Sequence, residues 1–243
     1  MTPKLFRPRP SSRPSGRRRL KAVIYRWLAR AALAWFGVTV LAVLMLRWIN
    51  PPTTAFMIAA RLRGDDVVSQ WVDWRNMPRQ LALAVVAAED QRFPAHFGFD
   101  FVEIEDAVET ALAGGRMRGA STISQQTAKN LFLWSGRSFI RKGLEAYFTV
   151  LLEALWPKHR ILEVYLNVAQ FGKTVYGVGA ASRAFFGKRP GGLSRYQMSL
   201  LASVLPDPLD LHANVPNSWL LERAAFVRRH MKSLGGVGYL RDI

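Results

Sequence analysis

The chain has 243 residues, half of them hydrophobic, with 34 Lys plus Arg against 17 Asp plus Glu and no cysteine, for a formal net charge of +17. The apolar share excludes a low-complexity disordered chain, and the missing cysteines exclude a disulfide scaffold, a thiolate metal site and a cysteine nucleophile. A charge of this size marks a nucleic-acid binder unless it is confined to one segment.

The charge is confined. Residues 1–30 hold Lys4, Arg7, Arg9, Arg13, Arg17, Arg18, Arg19, Lys21, Arg26 and Arg30, and no acid. With these ten and Arg47 set aside, +6 remains for residues 50–243. That surplus is too small for a nucleic-acid surface, so no nucleic-acid partner is expected. Residues 1–21 carry Pro3, Pro8, Pro10 and Pro14 and have no apolar periodicity, which predicts a disordered basic arm. Residues 22–48 predict a single transmembrane helix. Ala31 to Leu46 is uncharged but spans only about 24 Å, short of the ~30 Å hydrocarbon core. Extended back to Val23 it suffices, with Arg26 and Arg30 reaching toward the headgroups and Trp27 and Trp48 near the two interfaces. The rivals are a buried core helix and a cleaved signal peptide. The first is a poor fit after ten cations, and the second has only Thr53-Thr54-Ala55 as a cleavage site. The positive-inside rule places the arm in the cytoplasm and the rest outside. In a bacterial envelope that means the inner membrane, with the folded part on the periplasmic side.

Residues 49–243 read as one mostly α-helical domain behind the short stiff linker Asn50-Pro51-Pro52-Thr53-Thr54. Pro78 opens a helix with Leu81, Val85 and Ala88 at helical spacing and Glu89 at its end. Thr122 with Gln125 forms a capping box. Ser138 caps a helix from Phe139 to about Trp156, whose apolar stripe is Leu144, Phe148, Leu151, Leu152 and Leu155. Pro157 stops it, and another helix restarts through Ile161, Leu162, Tyr165 and Leu166. Ser194 with Gln197 forms a second capping box. Asn217 or Ser218 caps a last helix that Gly235-Gly236 ends. No alternating apolar run predicts a substantial sheet.

Three clusters could carry chemistry. Glu89 follows a very apolar run (LALAVVAA), and burial raises a carboxyl pKa, which suits a general base or acid. The plainer reading is a solvated helix end. Gln125, Gln126, Lys129 and Asn130 share a polar, nearly uncharged helix face, suited to sugar hydroxyls and a phosphate. Gly119-Ala120-Ser121 leaves backbone N–H groups at that helix's start, which favours an anion. The plainer reading is a neutral solvent face. Arg141, Lys142 and Glu145 lie within one and a half turns, and Arg137 is nearby. An intrahelical salt bridge explains them at ~0.2–0.5 kcal/mol, but the cations outnumber the acid and could hold a pyrophosphate. His96 and His159 lack metal-ligand spacing and read as structural. Zinc, P-loop, dinucleotide and G-x-S-x-G patterns do not occur.

Taken in order, these segments resemble the motifs of the peptidoglycan glycosyltransferases, glycosyltransferase family 51. Glu89-Asp90-x-x-Phe93-x-x-His96-x-Gly98 is similar to the first motif, Gly119 to Asn130 to the second, and Arg141-Lys142-x-x-Glu145 to the third. Lys158-x-x-Ile161-Leu162-Glu163-x-Tyr165-Leu166-Asn167 is similar to the fourth. Tyr176-Gly177-Val178, Ala180-Ala181 and Phe185-Phe186-Gly187-Lys188 are similar to the fifth. The similarity runs from about Pro51 to Leu234, and no transpeptidase-like segment follows within the 243 residues. The resemblance implies a lysozyme-like helical fold with a membrane-embedded jaw. It implies polymerisation of lipid II into β-1,4-linked glycan, with inversion and release of polyprenyl pyrophosphate. Lipid II, the growing lipid-linked glycan and membrane lipid are then the expected partners, with cell-division or wall-synthesis proteins as further candidates. Glu89 matches the base that deprotonates the acceptor 4-hydroxyl. Glu145 matches a second acid that helps the leaving group directly or through a divalent metal such as Mg²⁺, and no organic cofactor is implied. Lys129, Arg141 and Lys142 match pyrophosphate-holding positions. Phe93, Ser121, Gln125, Gln126, Asn130 and Arg137 match donor-site positions.

Two positions depart from the pattern. Gln170 and Gln197 stand where the family usually has Glu. A lysozyme-like, peptidoglycan-cleaving enzyme is the main alternative, but hydrolysis needs no pyrophosphate clamp. A non-enzymatic membrane scaffold is the other, and it gives Glu89 no role.

Overall fold

The computed structural model describes residues 16–115, 121–136 and 138–243. The chain divides into two units, Met1–Ala42 and Val43–Ile243. The first contributes most of α1 (Gly16–Leu46). This helix begins inside the segment read as basic arm. Its stretch Leu20–Leu46 is long and apolar enough to cross a membrane, about 40 Å at 1.5 Å per residue. Large apolar side chains such as Leu33, Val38 and Leu41 are exposed along it. An exposed apolar surface of this extent marks a site of contact with protein or membrane. Arg30 lies over the Trp27 ring at 5.5 Å, so a cation and an aromatic of the kind favoured at a headgroup layer sit together.

Helices are the dominant element of the second unit, which agrees with the fold class read from the sequence. After α2 (Ala55–Leu62) come β1 (Val68–Ser69), α3 (Arg79–Glu89), α4 (Phe101–Leu112) and α5 (Ile123–Phe132). Then follow α6 (Phe139–Leu155), α7 (Lys158–Val168), β2 (Val175–Tyr176), α8 (Gly177–Phe186), α9 (Arg195–Val204) and α10 (Ser218–Ser233). Short 3₁₀ turns lie at Trp74–Asn76, Phe93–Ala95, Pro190–Gly192 and Gly236–Leu240. The two strands pair in parallel, Val68 with Val175 and Ser69 with Tyr176.

The caps formed where the side chains allow them. Ser138, Ser194, Asn217 and Thr122 each accept a backbone N–H of their helix's first turn, and the boxes at Thr122 and Ser194 are both complete. Pro78 is the N-cap residue of α3, one position before the helix. The helix α4 was not read from the sequence. Asp100 caps it, none of its residues is buried, and Phe101 and Leu112 are largely exposed.

The helix α3 is the centre of one half of the core. Leu81 to Ala87 are buried without interruption, so it is covered on every side rather than along one stripe. It packs against α9, α10 and the last 3₁₀ turn. In the other half, α5 packs against α6, α7 and α2. A buried Leu or Val contributes about 1.5–3 kcal/mol relative to exposure, so this continuous run fixes α3 firmly. Its C-terminal residue, Glu89, therefore emerges at a fixed point on the seam between the halves.

Residues Val43 to Asn50 are built into this unit. Trp156 Nε1 donates to Val43 O at 2.7 Å, and Arg47 donates to Leu155 O at 2.7 Å. The buried Arg160 donates to Leu46 O, Ile49 O, Asn50 Oδ1 and Glu163.

Candidate active site

Glu89 ends α3 with its side chain 10% exposed. Its Oε2 accepts a hydrogen bond from Gln126 Nε2 at 3.0 Å. Gln126 Oε1 in turn accepts from the buried Tyr165 hydroxyl at 2.9 Å. Because a hydroxyl donates to one end of the amide, the other end must present N–H to Glu89. Arg223 of α10 reaches Glu89 Oε1 at 3.4 Å. Burial pushes the Glu89 carboxyl above its ordinary range; the Gln126 hydrogen bond and the charges of Arg223 and Lys129 oppose the rise without cancelling it. Such an acid is suited to taking a proton near neutral pH.

The helix that carries Gln126 and Lys129 is pinned at its start. Thr122 N–H donates to Gln125 Oε1, Gln125 N–H to Thr122 Oγ1, and Ile123 N–H to Asp90 Oδ2 at 2.9 Å. The anion expected at this N-terminus is therefore the chain's own Asp90. Asp90 also binds His96 Nε2 at 2.9 Å, and Thr122 Oγ1 donates to Gly98 O at 2.7 Å. The loop after Glu89 is thus stitched to α5. Gly98 has φ +81, and a Cβ there would meet Thr149 Cγ2 at 2.7 Å, so no other residue fits.

The cation group comes from α5 and α6. Arg141 Nη1 binds Glu145 Oε2 at 2.6 Å, and Lys142 Nζ binds Glu145 Oε1. Arg141 Nε also donates to Gly136 O at 2.7 Å. Glu145 is buried, whereas Lys142 is about half exposed. Lys129 lies 5.7 Å from the Phe56 ring centre. Burial lowers its pKa, and Glu145 opposes that most strongly. Arg141 and Lys142 share the Glu145 carboxylate, and Lys129 feels its charge without an ion pair to it, so the cations outnumber this acid. Among the described residues the three-ligand group of carboxylates and imidazole is Asp90, His96 and Asp100, and Glu145 is not part of it. With both oxygens already on cations, this donor set does not fit a resident divalent ion.

Not every candidate faces this seam. Phe93 is fully buried, with Lys158 Nζ over its ring at 4.5 Å, so it supports the loop and does not present a surface. Gln125 is buried and its amide oxygen serves the capping box. Asn130 is buried on the same helix, and Ser121 is exposed just before it. Arg137, Gly119 and Ala120 lie outside the described residues. The fourth and fifth motifs are scaffold. Asn167 exchanges hydrogen bonds with Val72 N–H and O, Glu163 accepts from Trp74 N–H, and a Cβ on Gly179 would lie 2.3 Å from Gln70 O. Gln170 donates to Gly172 O and Lys173 O, which an ionised Glu could not do.

The family profile described as Transglycosylase matches residues 57–232, the span that contains Glu89, Gln126, Lys129, Arg141, Lys142, Glu145 and Arg223. The chain belongs to the transglycosylase family. It is 49% identical over 222 residues to the biosynthetic peptidoglycan transglycosylase of Stutzerimonas stutzeri (strain A1501), covering 89% of this chain and 92% of that one. It is 50% identical over 216 residues to the namesake in Pseudomonas fluorescens (strain SBW25), covering 86% and 90%. The figure for Shewanella oneidensis is 47% over 218 residues, covering 88% and 94%.

In this transglycosylase the sequence reading missed Arg223. It flanks the buried stripe Leu220, Ala224 and Val227 of α10. A cation beside such a stripe is a weak signal, and nothing local ties it to a carboxylate 134 positions earlier.

Proposed function

We propose that this transglycosylase polymerises lipid II into β-1,4-linked peptidoglycan strands by inverting glycosyl transfer. The observation that carries the reading is a nearly buried carboxylate, Glu89, and a carboxylate-held cation pair, Arg141 and Lys142 on Glu145, with Lys129 within electrostatic reach of both acids. A 4-hydroxyl on the acceptor sugar gives its proton to Glu89 while its oxygen forms the bond to the donor's anomeric carbon. The bond from that carbon to the pyrophosphate oxygen breaks, and the electron pair leaves with polyprenyl pyrophosphate. Lys129, Arg141 and Lys142 stabilise the developing charge, which is where fixed cations lower a barrier most. Glu145 holds Arg141 and Lys142 in place and assists departure through them. A divalent ion is proposed only as a companion of the substrate's pyrophosphate, and no step is routed through it.

We place the arm in the cytoplasm and the catalytic unit on the periplasmic face of the inner membrane, with α1 as a single-pass anchor. The exposed Phe101, Leu112, Phe139 and Ile140 are proposed to meet the bilayer, where the lipid tails of both reactants reside. Cell-wall synthesis proteins are proposed as partners in the cell.

The test is incubation of the purified protein with lipid II and, separately, with finished glycan. Consumption of lipid II and growth of polymer is expected, with Glu89→Gln slower by at least about 10²–10⁴-fold. Shortening of finished glycan without use of lipid II would favour a hydrolase.

A further inference from the structure

We propose that Arg223 is the positioning residue of the catalytic centre: from the C-terminal helix it holds Glu89 ionised and aimed at the acceptor hydroxyl. The proposal rests on the reading of Glu89 as the base.

The buried arginine of the fold, Arg160, shows what a structural guanidinium looks like here. Its Nε and both terminal nitrogens are spent on the Leu46 and Ile49 carbonyls, Glu163 and Asn50, each between 2.7 and 3.2 Å. Arg223 is different. It makes a 3.2 Å bond to Ala88 O and a 3.4 Å approach to Glu89, and its Nε is buried without a hydrogen-bond partner. A guanidinium this poorly saturated contributes little as a brace. What it does have is charge. Glu89 is the only acid within ion-pair reach of it among the described residues.

Its geometry is also controlled. The guanidinium lies over the Trp219 ring, 5.6 Å from the centroid and one turn back along α10. Both ends of the α10 contact are therefore fixed, with Trp219 below and the Ala88 carbonyl beside the carboxylate. The groups facing Glu89 are then few. Lys129 and the Gln126 amide come from α5, the Tyr165 hydroxyl stands behind that amide on α7, Asp90 follows in the chain, and Arg223 comes from α10. Lys129 is needed by the leaving group, so once pyrophosphate binds its charge is shared. Arg223 is the cation left to Glu89 alone. Removing it leaves burial less opposed, so the carboxyl takes up a proton at a higher pH.

The experiment is a pH profile of kcat/KM for lipid II polymerisation with full-length wild type, Arg223→Met, Arg223→Lys, Trp219→Ala and Glu89→Gln, with melting curves for each. For Arg223→Met the loss on the acidic limb is expected to be about tenfold, and on the alkaline side less than about threefold. Arg223→Lys restores most of the acidic limb, and Trp219→Ala, at a half-exposed residue, moves it in the same direction by less. An unchanged limb with uniform loss at all pH values would mean a packing role only and overturn the proposal, as would an unchanged profile. Should Arg223→Met fail to fold, Arg223→Lys and Trp219→Ala decide by the same criterion. An active Glu89→Gln would instead sink the base reading, whereas an inactive Glu89→Gln with an unmoved Arg223→Met limb sinks only the role of Arg223.

Discussion

Glu89 is a carboxylate at the end of a helix whose preceding seven-residue stretch Leu81–Ala87 is wholly buried, and its chemistry follows from that address. Burial raises its pKa and lowers that of Lys129. In the proposed mechanism turnover needs the first deprotonated and the second protonated. The rate is therefore expected to be bell-shaped, with its acidic limb above the ordinary carboxylate range and its basic limb below the ordinary lysine range. A steady-state pH profile checks this, and Lys129→Arg should carry the basic limb upward because Arg does not titrate there. The same shift has a stability consequence. Since the folded state disfavours ionised Glu89, that charge subtracts stability above its folded pKa and has no effect below its unfolded one. Glu89→Gln is expected to melt higher than wild type at pH 8, with the gap closing as pH falls toward about 4. Gly98→Ala should cost more than about 1 kcal/mol through positive φ and the Thr149 clash, read by denaturant unfolding.

At the scale of elements, α5 decides the site. Its capping box, the Asp90 carboxylate and the Ser124–Glu153 bond set its rotation, so Gln126 meets Glu89. Thr122→Ala removes a cap and the Gly98 tie together. It is expected to cost about 1–2 kcal/mol and to lower kcat more than it raises KM, since the Glu89–Gln126 geometry loosens while the cations of α6 stay. The caps at Thr122, Ser138, Ser194 and Asn217 were legible because each is decided within three or four residues. The short strands were not, because their pairing joins residues 107 positions apart in sequence. The helix α4 was missed for a different reason. Four acids among twelve residues blur its apolar spacing of Phe101, Ile104, Val108 and Leu112, and no residue of it is buried to confirm a face.

At the scale of the whole molecule, the last turn of the anchor helix belongs to the catalytic unit. Truncation after residue 42 should leave a unit that melts cooperatively near the full-length temperature in detergent. Truncation after residue 50 strips Arg160 of three acceptors and Trp156 of the Val43 carbonyl, and each orphaned group costs about 1–3 kcal/mol. Thermal melting of the two truncations distinguishes these outcomes. By itself the sequence determined the long apolar N-terminal helix, the helical class, the capped helices and the stock of reactive groups, because hydropathy, caps and motif spacing act over short stretches of chain. Tertiary structure decided which of those groups meet. It buried Phe93, turned Gln125 to its own helix end, satisfied the α5 N-terminus with Asp90, and brought Arg223 to Glu89. Each of these depends on how separate helices pack, and packing is set by contacts between residues far apart in the chain, where no local pattern records the outcome.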